Sequence, residues 1–256
     1  MKLRQFAERH PYWFVAFMEL VVVLVYLLAG TVAHFSHLSN LGLYGIAQVG
    51  LTIAAASLLM AMGWWSVVGF RRPDDWSDLR YFIVPFLPLV INLIPGVEVT
   101  SLRHLGVVLA ITLMVGFVEE VFFRGLMLNA LKARGLWRAA VITALLFGLT
   151  HAMNVLAGKS VFDASAQIFY ATAIGFAFAA LALKKNILWP LVIAHFLTDF
   201  ANLIQRPGFT YPPGWAVAIT LAIASVFTAY GVFVMLRVPE TGRGGAASVH
   251  RTSVST

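Results

Sequence analysis

The sequence contains no cysteine and few charged residues. The absence of cysteine excludes disulfide bonds, thiolate nucleophiles and zinc or iron–sulfur sites with cysteine ligands. Asp, Glu, Lys and Arg together make up 11% of the 256 residues, whereas a soluble domain has roughly 25%. Hydrophobic residues make up 60%. This composition excludes an ordinary soluble domain and indicates a chain that is embedded in a lipid bilayer.

Apolar stretches of roughly the 20 residues that a membrane-spanning helix needs recur along the chain. They predict eight such helices, near residues 13–34, 42–65, 81–95, 104–131, 138–157, 166–183, 186–204 and 213–236. The third contains Pro85, Pro88 and Pro95, so we expect it to be kinked or partly re-entrant. We therefore predict an all-α fold, with residues 1–240 forming one bundle of about eight transmembrane helices around a polar intramembrane cavity. The segment 241–256 is rich in Gly, Ser and Thr, and this composition predicts a disordered cytoplasmic tail.

Lys and Arg are distributed unevenly between the two sides of the predicted bundle. Fourteen of the 18 fall in connections on one side and three on the other, and Arg124 lies within a predicted helix. Cytoplasmic loops are enriched in Lys and Arg, so the pattern predicts a multi-pass protein of the cell membrane with both termini in the cytoplasm. The excess of Lys and Arg that gives the net charge of +7 is therefore expected to face the anionic lipids of the cytoplasmic leaflet, and we expect no nucleic-acid partner.

The fourth predicted helix contains Glu119, Glu120 and Arg124. Ionisable residues at membrane depth are costly unless they are paired or solvated, which makes them candidate functional residues. Glu120 and Arg124 are four residues apart and can pair on one face of an α-helix. Glu119 is rotated by about 100° from Glu120 and is predicted to remain free for another task.

Two further predicted helices carry histidines. His151 lies in the fifth, and His195 lies in the seventh with Asp199 and Asn202 on the same helical face. Counted from the nearest cytoplasmic Lys or Arg, Glu119, His151, His195 and Asp199 lie about 15–21 Å from the ends of their helices. Three helices are therefore predicted to place a carboxylate and two imidazoles at one depth.

This set of groups suits hydrolysis, because bundles commonly build sites from side chains that project inward from facing helices. A carboxylate can act as general base on a water molecule. One imidazole can hold that water, and a second can donate a hydrogen bond to the developing oxyanion.

Other residues are predicted to hold the helices together. Gly116, Gly148 and Gly175 are predicted to allow close helix approach, and Glu19 and Gln48 to form interhelical hydrogen bonds.

Three motifs occur in order across residues 119–199: Glu-Glu-x-x-x-Arg in the fourth predicted helix, Phe-x-x-x-His in the fifth and His-x-x-x-Asp in the seventh. Together they resemble the motifs of the CAAX-processing and bacteriocin-processing (Abi) family of intramembrane glutamic endopeptidases, which the predicted eight helices also resemble. The resemblance implies cleavage of a peptide bond in a membrane-associated peptide or protein, without a metal or other cofactor. The eukaryotic members cut prenylated C-terminal motifs, whereas a prokaryotic member is expected to cut a peptide, a lipopeptide or the end of another membrane protein.

The resemblance also implies residue roles. Glu119 corresponds to the catalytic base, His151 shares the activated water, and His195 stabilises the oxyanion. Glu120 and Arg124 correspond to the supporting pair.

Asp199 departs from the family pattern, because the best-understood members have Asn there and use its amide as a second oxyanion donor. An ionised Asp cannot donate a hydrogen bond. Asp199 is therefore protonated, or it orients His195 by accepting a hydrogen bond from it, or it leaves the donor role to Asn202. We favour the orienting role.

Three alternatives remain on sequence alone. The same residues are acceptable zinc ligands, although the His-Glu-x-x-His signature of helical zinc sites is absent. They could also relay protons in a transporter, but the sequence has neither repeat symmetry nor paired broken helices. A non-catalytic membrane scaffold or immunity protein is the third.

Overall fold

The computed structural model describes residues 2–209, 211–212 and 214–238, and the predicted tail 241–256 lies outside this part of the chain. Within it the regular secondary structure is helical, and Val97 forms an isolated antiparallel bridge with Gln205. The α-helices are α1 (Lys2–Arg9), α2 (Pro11–Phe35), α3 (Asn40–Met62), α4 (Leu87–Leu93), α5 (Leu102–Glu119), α6 (Leu128–Leu131), α7 (Leu136–Thr150), α8 (Val161–Lys185), α9 (Trp189–Leu203) and α10 (Trp215–Met235). The predicted all-α class is confirmed.

Six helical stretches among the described residues are long and apolar enough to cross a membrane. They are α2, α3, the stretch Leu102–Arg134 that begins with α5, the stretch Leu136–Val155 that begins with α7, α8 and α10. All six coincide with predicted spans. The chain is therefore a multi-pass membrane protein.

The other two predicted spans are shorter than expected. The region predicted to be kinked consists of 3₁₀ turns at Trp76–Phe82 and Val84–Phe86, followed by the seven-residue α4. Pro85 and Pro88 occupy the first turns of these last two elements, where a missing N–H costs nothing. Helix α9 has 15 residues and is therefore about 22 Å long, against roughly 30 Å for the hydrocarbon core.

Two helices organise the packing around the site. Helix α8 packs against both α7 and α10, and α5 packs against α9 and α3. Helix α2 covers α3, and the short α4 lies against α9. The predicted site residues lie on or next to α5, α7 and α9. Helix α7 packs against the longer α8, and α5 and α9 pack against each other.

Glycines mark the closest helix approaches, as predicted. A Cβ on Gly148 of α7 would lie 2.0 Å from Oγ1 of Thr172 on α8, and one on Gly116 of α5 would lie 2.8 Å from the Val192 carbonyl oxygen on α9. A Cβ on Gly175 would lie 3.0 Å from the Phe147 ring. Any side chain at the first two positions would force the paired helices apart.

Glu19 and Gln48 form the predicted interhelical hydrogen bonds. Thr150 Oγ1 on α7 lies 2.7 Å from Glu19 Oε1 on α2. Gln48 Nε2 on α3 donates to the hydroxyl of Tyr26 on α2 at 2.7 Å. Both bonds attach α2 to the rest of the bundle.

Candidate active site

The helix that carries the Glu-Glu-x-x-x-Arg motif changes its winding at the motif. After α5 ends at Glu119, residues Glu120–Met127 form a π-helix, which differs from the regular α-helix expected from the sequence. Asn129 stabilises this turn, because its side-chain amide donates to the Gly125 carbonyl oxygen at 2.7 Å. π-Helical turns inside α-helices are frequent at functional sites.

Glu120 and Arg124 form a buried ion pair. Arg124 Nη1 donates to Glu120 Oε1 at 3.1 Å, and the side chains are 1% and 0% exposed respectively. The Arg124 guanidinium lies 4.1 Å from the centroid of the Phe147 ring and 5.4 Å from that of Phe178. A Cβ on Gly175 would lie 3.2 Å from Arg124 Nη2, so this glycine leaves room for the guanidinium.

His195 connects the buried pair to the other carboxylates. Its Nδ1 lies 2.9 Å from the same oxygen, Glu120 Oε1, that accepts from Arg124. Its Nε2 lies 3.5 Å from Glu119 Oε2 and 3.5 Å from Asp199 Oδ2. Because an ionised carboxylate only accepts, Nδ1 carries the hydrogen toward Glu120.

Glu119 is the more accessible of the two adjacent glutamates. Its side chain is 19% exposed, and its Oε2 has no hydrogen-bond partner among the described residues. One carboxylate oxygen of Glu119 is therefore buried without a protein hydrogen-bond partner.

His151 lies just beyond the end of α7 rather than within a regular helix. It begins a 3₁₀ turn, His151–Val155, and its Nδ1 lies 2.8 Å from the Phe147 carbonyl oxygen. In the neutral ring Nδ1 donates this bond, so Nε2 keeps a free lone pair. The Phe147 ring packs edge-on against both imidazoles, with centroid distances of 5.1 Å to His151 and 6.0 Å to His195.

A cavity of about 1400 Å³ joins these side chains. Glu119, His151, His195, Asp199 and Asn202 all contribute to its lining, together with apolar residues from the surrounding helices. The buried Glu120 and Arg124 are outside this lining and lie behind His195. The structure thus places every predicted site residue either on the cavity wall or directly behind it.

Three features of this site were not predicted. Glu120, and not Asp199, makes the shorter contact with His195. The π-helical turn that begins at Glu120 has no simple sequence signal. Phe147 belongs to a predicted motif, but the sequence does not predict that its ring contacts Arg124 and both histidines.

Among the described residues, no group of three or more His, Cys, Asp or Glu side chains is arranged to hold a metal ion.

Gly116 sets the distance between the helices that carry Glu119 and His195. A Cβ there would lie 2.8 Å from the Val192 carbonyl oxygen and 2.9 Å from the Phe196 amide nitrogen, and both are backbone atoms. We expect Gly116→Ala to lower the free energy of unfolding by about 1–3 kcal/mol, because α5 and α9 must separate. Titration with a denaturing detergent would measure this loss.

The matched control is Gly106→Ala in the same helix, where a Cβ would meet nothing within 4 Å. This change is expected to stabilise the protein by about 0.5–1 kcal/mol, since Ala is the better helix former. Equal effects of the two substitutions would contradict the close-approach role of Gly116.

The fold and the site define a multi-pass membrane protein with carboxylates and imidazoles gathered at an internal cavity. Residues 101–201 match the family described as type II CAAX prenyl endopeptidase, Rce1-like. This match confirms the resemblance indicated by the three motifs, all of which lie inside the matched segment. The family is one of CAAX-type intramembrane proteases. No curated protein and no solved structure matches the chain significantly.

Proposed function

We propose that this protein is an intramembrane endopeptidase that hydrolyses a peptide bond of a membrane-associated peptide or protein, with Glu119 as general base. The observation that carries the proposal is the position of Glu119. Its side chain lines the cavity. Its buried Oε2 has no hydrogen-bond partner among the described residues and lies 3.5 Å from Nε2 of His195, whose Nδ1 contacts the buried Glu120–Arg124 pair. That is the arrangement a water-activating carboxylate needs.

The first step is the attack of water on the scissile carbonyl carbon. Glu119 takes one proton from the water, and His151 accepts a hydrogen bond from the same water through its free Nε2. The carbonyl oxygen becomes an oxyanion as the new C–O bond forms. When the intermediate collapses, the C–N bond breaks and the proton on Glu119 passes to the leaving amine.

His195 stabilises the oxyanion in this scheme. Since its Nδ1–H is directed to Glu120, a hydrogen bond from Nε2 requires the doubly protonated ring. Glu119, Glu120 and Asp199 surround that ring and favour its positive charge. Asp199 lies 3.5 Å from Nε2 and contributes negative charge beside the ring, and Asn202 contributes an amide to the lining of the cavity.

The substrate is proposed to enter from the bilayer. The cavity is large and most of its lining residues are apolar, so it suits a lipidated or prenylated peptide as well as an unmodified membrane-associated one. We propose that both termini face the cytoplasm, in accordance with the asymmetry of Lys and Arg.

Cleavage of peptides by the purified protein in liposomes tests this proposal. Prenylated and unprenylated peptide libraries would be incubated with the wild type, with His195→Ala and with His10→Ala, and the products identified by mass spectrometry. We expect His195→Ala to lower kcat by about 10²–10³-fold, as removal of an oxyanion donor does. His10 is exposed at the start of α2, so His10→Ala is expected to match the wild type.

The same assay separates the metal-independent mechanism from the zinc alternative. Activity is expected to persist after treatment with a strong chelator, and protein that has lost zinc is expected to remain active. Activity that disappears with the metal and returns with added zinc would replace the proposed mechanism with a metallopeptidase. Absence of cleavage of any peptide by the wild type would contradict the peptidase function itself.

A further inference from the structure

Tyr26 has a hydroxyl group whose orientation is fixed by a neighbour. Gln48 Nε2 donates a hydrogen bond to the Tyr26 oxygen at 2.7 Å, and Gln48 is fully buried. The oxygen therefore acts as acceptor in this bond, and its own hydrogen is left for another partner. Among the described residues, no hydrogen bond has Tyr26 as donor.

The side chain that carries this hydroxyl belongs to the lining of the cavity that contains the proposed catalytic groups. Tyr26 lines the same cavity as Glu119, His195 and Asp199. Helix α2 therefore contributes a hydroxyl-bearing side chain to the cavity that α5 and α9 also line.

The Gln48–Tyr26 pair is poorly explained as a structural bond alone. Gln48 Oε1 is buried and has no partner among the described residues. A buried polar group without a partner is costly, and a pair that served only to join α2 to α3 would gain more from apolar side chains. The Gln48 side chain leaves its own Oε1 without a partner, but its Nε2 fixes the position of the Tyr26 hydroxyl.

The second hydrogen-bond donor to the oxyanion can come from more than one side chain of the cavity lining, because both Asn202 and Tyr26 belong to it. An oxyanion is usually stabilised by two donors, and His195 supplies one. Asp199, when ionised, supplies none. We propose that Tyr26 is a catalytic residue whose hydroxyl donates the second hydrogen bond to the oxyanion of the tetrahedral intermediate, with Gln48 as its positioning residue. This inference rests on the proposed peptidase function.

The step involves no transfer of the tyrosine proton. Water adds to the carbonyl carbon, Glu119 takes the water proton, and the pair of electrons from the C=O bond moves to the oxygen. The Tyr26 O–H donates a hydrogen bond to that oxygen and is unchanged when the C–N bond breaks.

Tyr26→Phe tests the inference, because it removes the hydroxyl and keeps the ring. We expect kcat for a cleaved peptide to fall by about 10²-fold with KM nearly unchanged, since the hydrogen bond forms only as the oxyanion develops. A phosphonate analogue of the same peptide, which mimics the tetrahedral anion, is expected to bind the variant more weakly by a similar factor. Tyr230→Phe is the matched control, because the Tyr230 hydroxyl donates to the Tyr81 carbonyl oxygen and lies outside the cavity lining.

Gln48→Met provides a second variant that leaves Tyr26 in place. It is expected to lower kcat less than Tyr26→Phe does, and to add nothing further in the Tyr26→Phe background, because the two residues act as one unit. Purely structural roles would lower the unfolding midpoint without this non-additivity in kcat.

Several outcomes would overturn the inference. If Tyr26→Phe keeps the wild-type kcat while Glu119→Gln is inactive, the peptidase function stands and the role of Tyr26 is wrong. If Tyr170→Phe, which also removes a hydroxyl from the cavity wall, loses activity and Tyr26→Phe does not, the donor is Tyr170. If the wild type cleaves nothing, both proposals are wrong.

Discussion

The Glu119→Gln variant is expected to lose about 10²–10⁴-fold in kcat, the contribution of a positioned general base. Glutamine has nearly the same shape as glutamate, but its amide cannot take a proton from water. Substrate binding is expected to change little, because the reacting carboxylate is one group in a large, mostly apolar cavity. Initial rates over a range of peptide concentrations would separate kcat from KM.

The matched control for this substitution is Glu8→Gln. Glu8 pairs with Arg4 on the exposed surface of α1, where both side chains are about half exposed, so the change alters the same functional group away from the cavity. Its kcat is expected to equal that of the wild type. Cleavage by Glu119→Gln at the wild-type rate would show that another group activates the water.

The helices were predicted well because their signals are local. Long apolar stretches gave six spans that the structure contains. The start of α8 was predicted at residue 166, five residues later than observed, because hydropathy alone ignores capping. Ser160 Oγ accepts a hydrogen bond from the Asp163 amide, which starts this helix in a polar segment.

The residues that line the candidate site were predicted, whereas the contacts between their side chains were not. Spacing and depth were sufficient to place Glu119, His195 and Asp199 near one another. Glu120, which contacts His195, is the first residue of a π-helical turn, and the helices of the two residues approach closely at Gly116. Neither feature follows from the repeat of an ideal α-helix.

Aromatic side chains at the site were missed for a different reason. The chain has 20 Phe and seven Tyr residues, so single aromatic residues carry little information. The position of the Phe147 ring against Arg124 is visible only when the helices are packed.

The Glu120→Leu variant is expected to lower the free energy of unfolding by about 3–5 kcal/mol, the typical cost of breaking a buried ion pair. Arg124 is 1% exposed, its Nη2 already has no hydrogen-bond partner among the described residues, and Glu120 is the carboxylate that pairs with it. Removing that carboxylate leaves a positive charge between two phenylalanine rings. Titration with a denaturing detergent would measure the loss.

Glu8→Leu is the matched control for stability. Glu8 and Arg4 form a pair with the same i,i+4 spacing, but on the exposed surface of α1. Exposed helix pairs contribute about 0.3–0.5 kcal/mol, so a change of that size is expected. Equal losses in the two variants would mean that burial adds nothing to the energy of the Glu120–Arg124 pair.

The double variant Glu120→Leu/Arg124→Leu distinguishes stability from positioning. Replacing both members of a buried pair with apolar residues is often neutral or stabilising, so most of the lost stability is expected to return. Cleavage is expected to stay low, because His195 Nδ1 no longer has the Glu120 oxygen that orients it. A double variant that regains stability and also cleaves at the wild-type rate would show that the pair is not needed to position His195. Stability restored without activity would assign the pair to the orientation of the His195 imidazole, and would explain why the protein has a charged pair where an apolar one would fold as well.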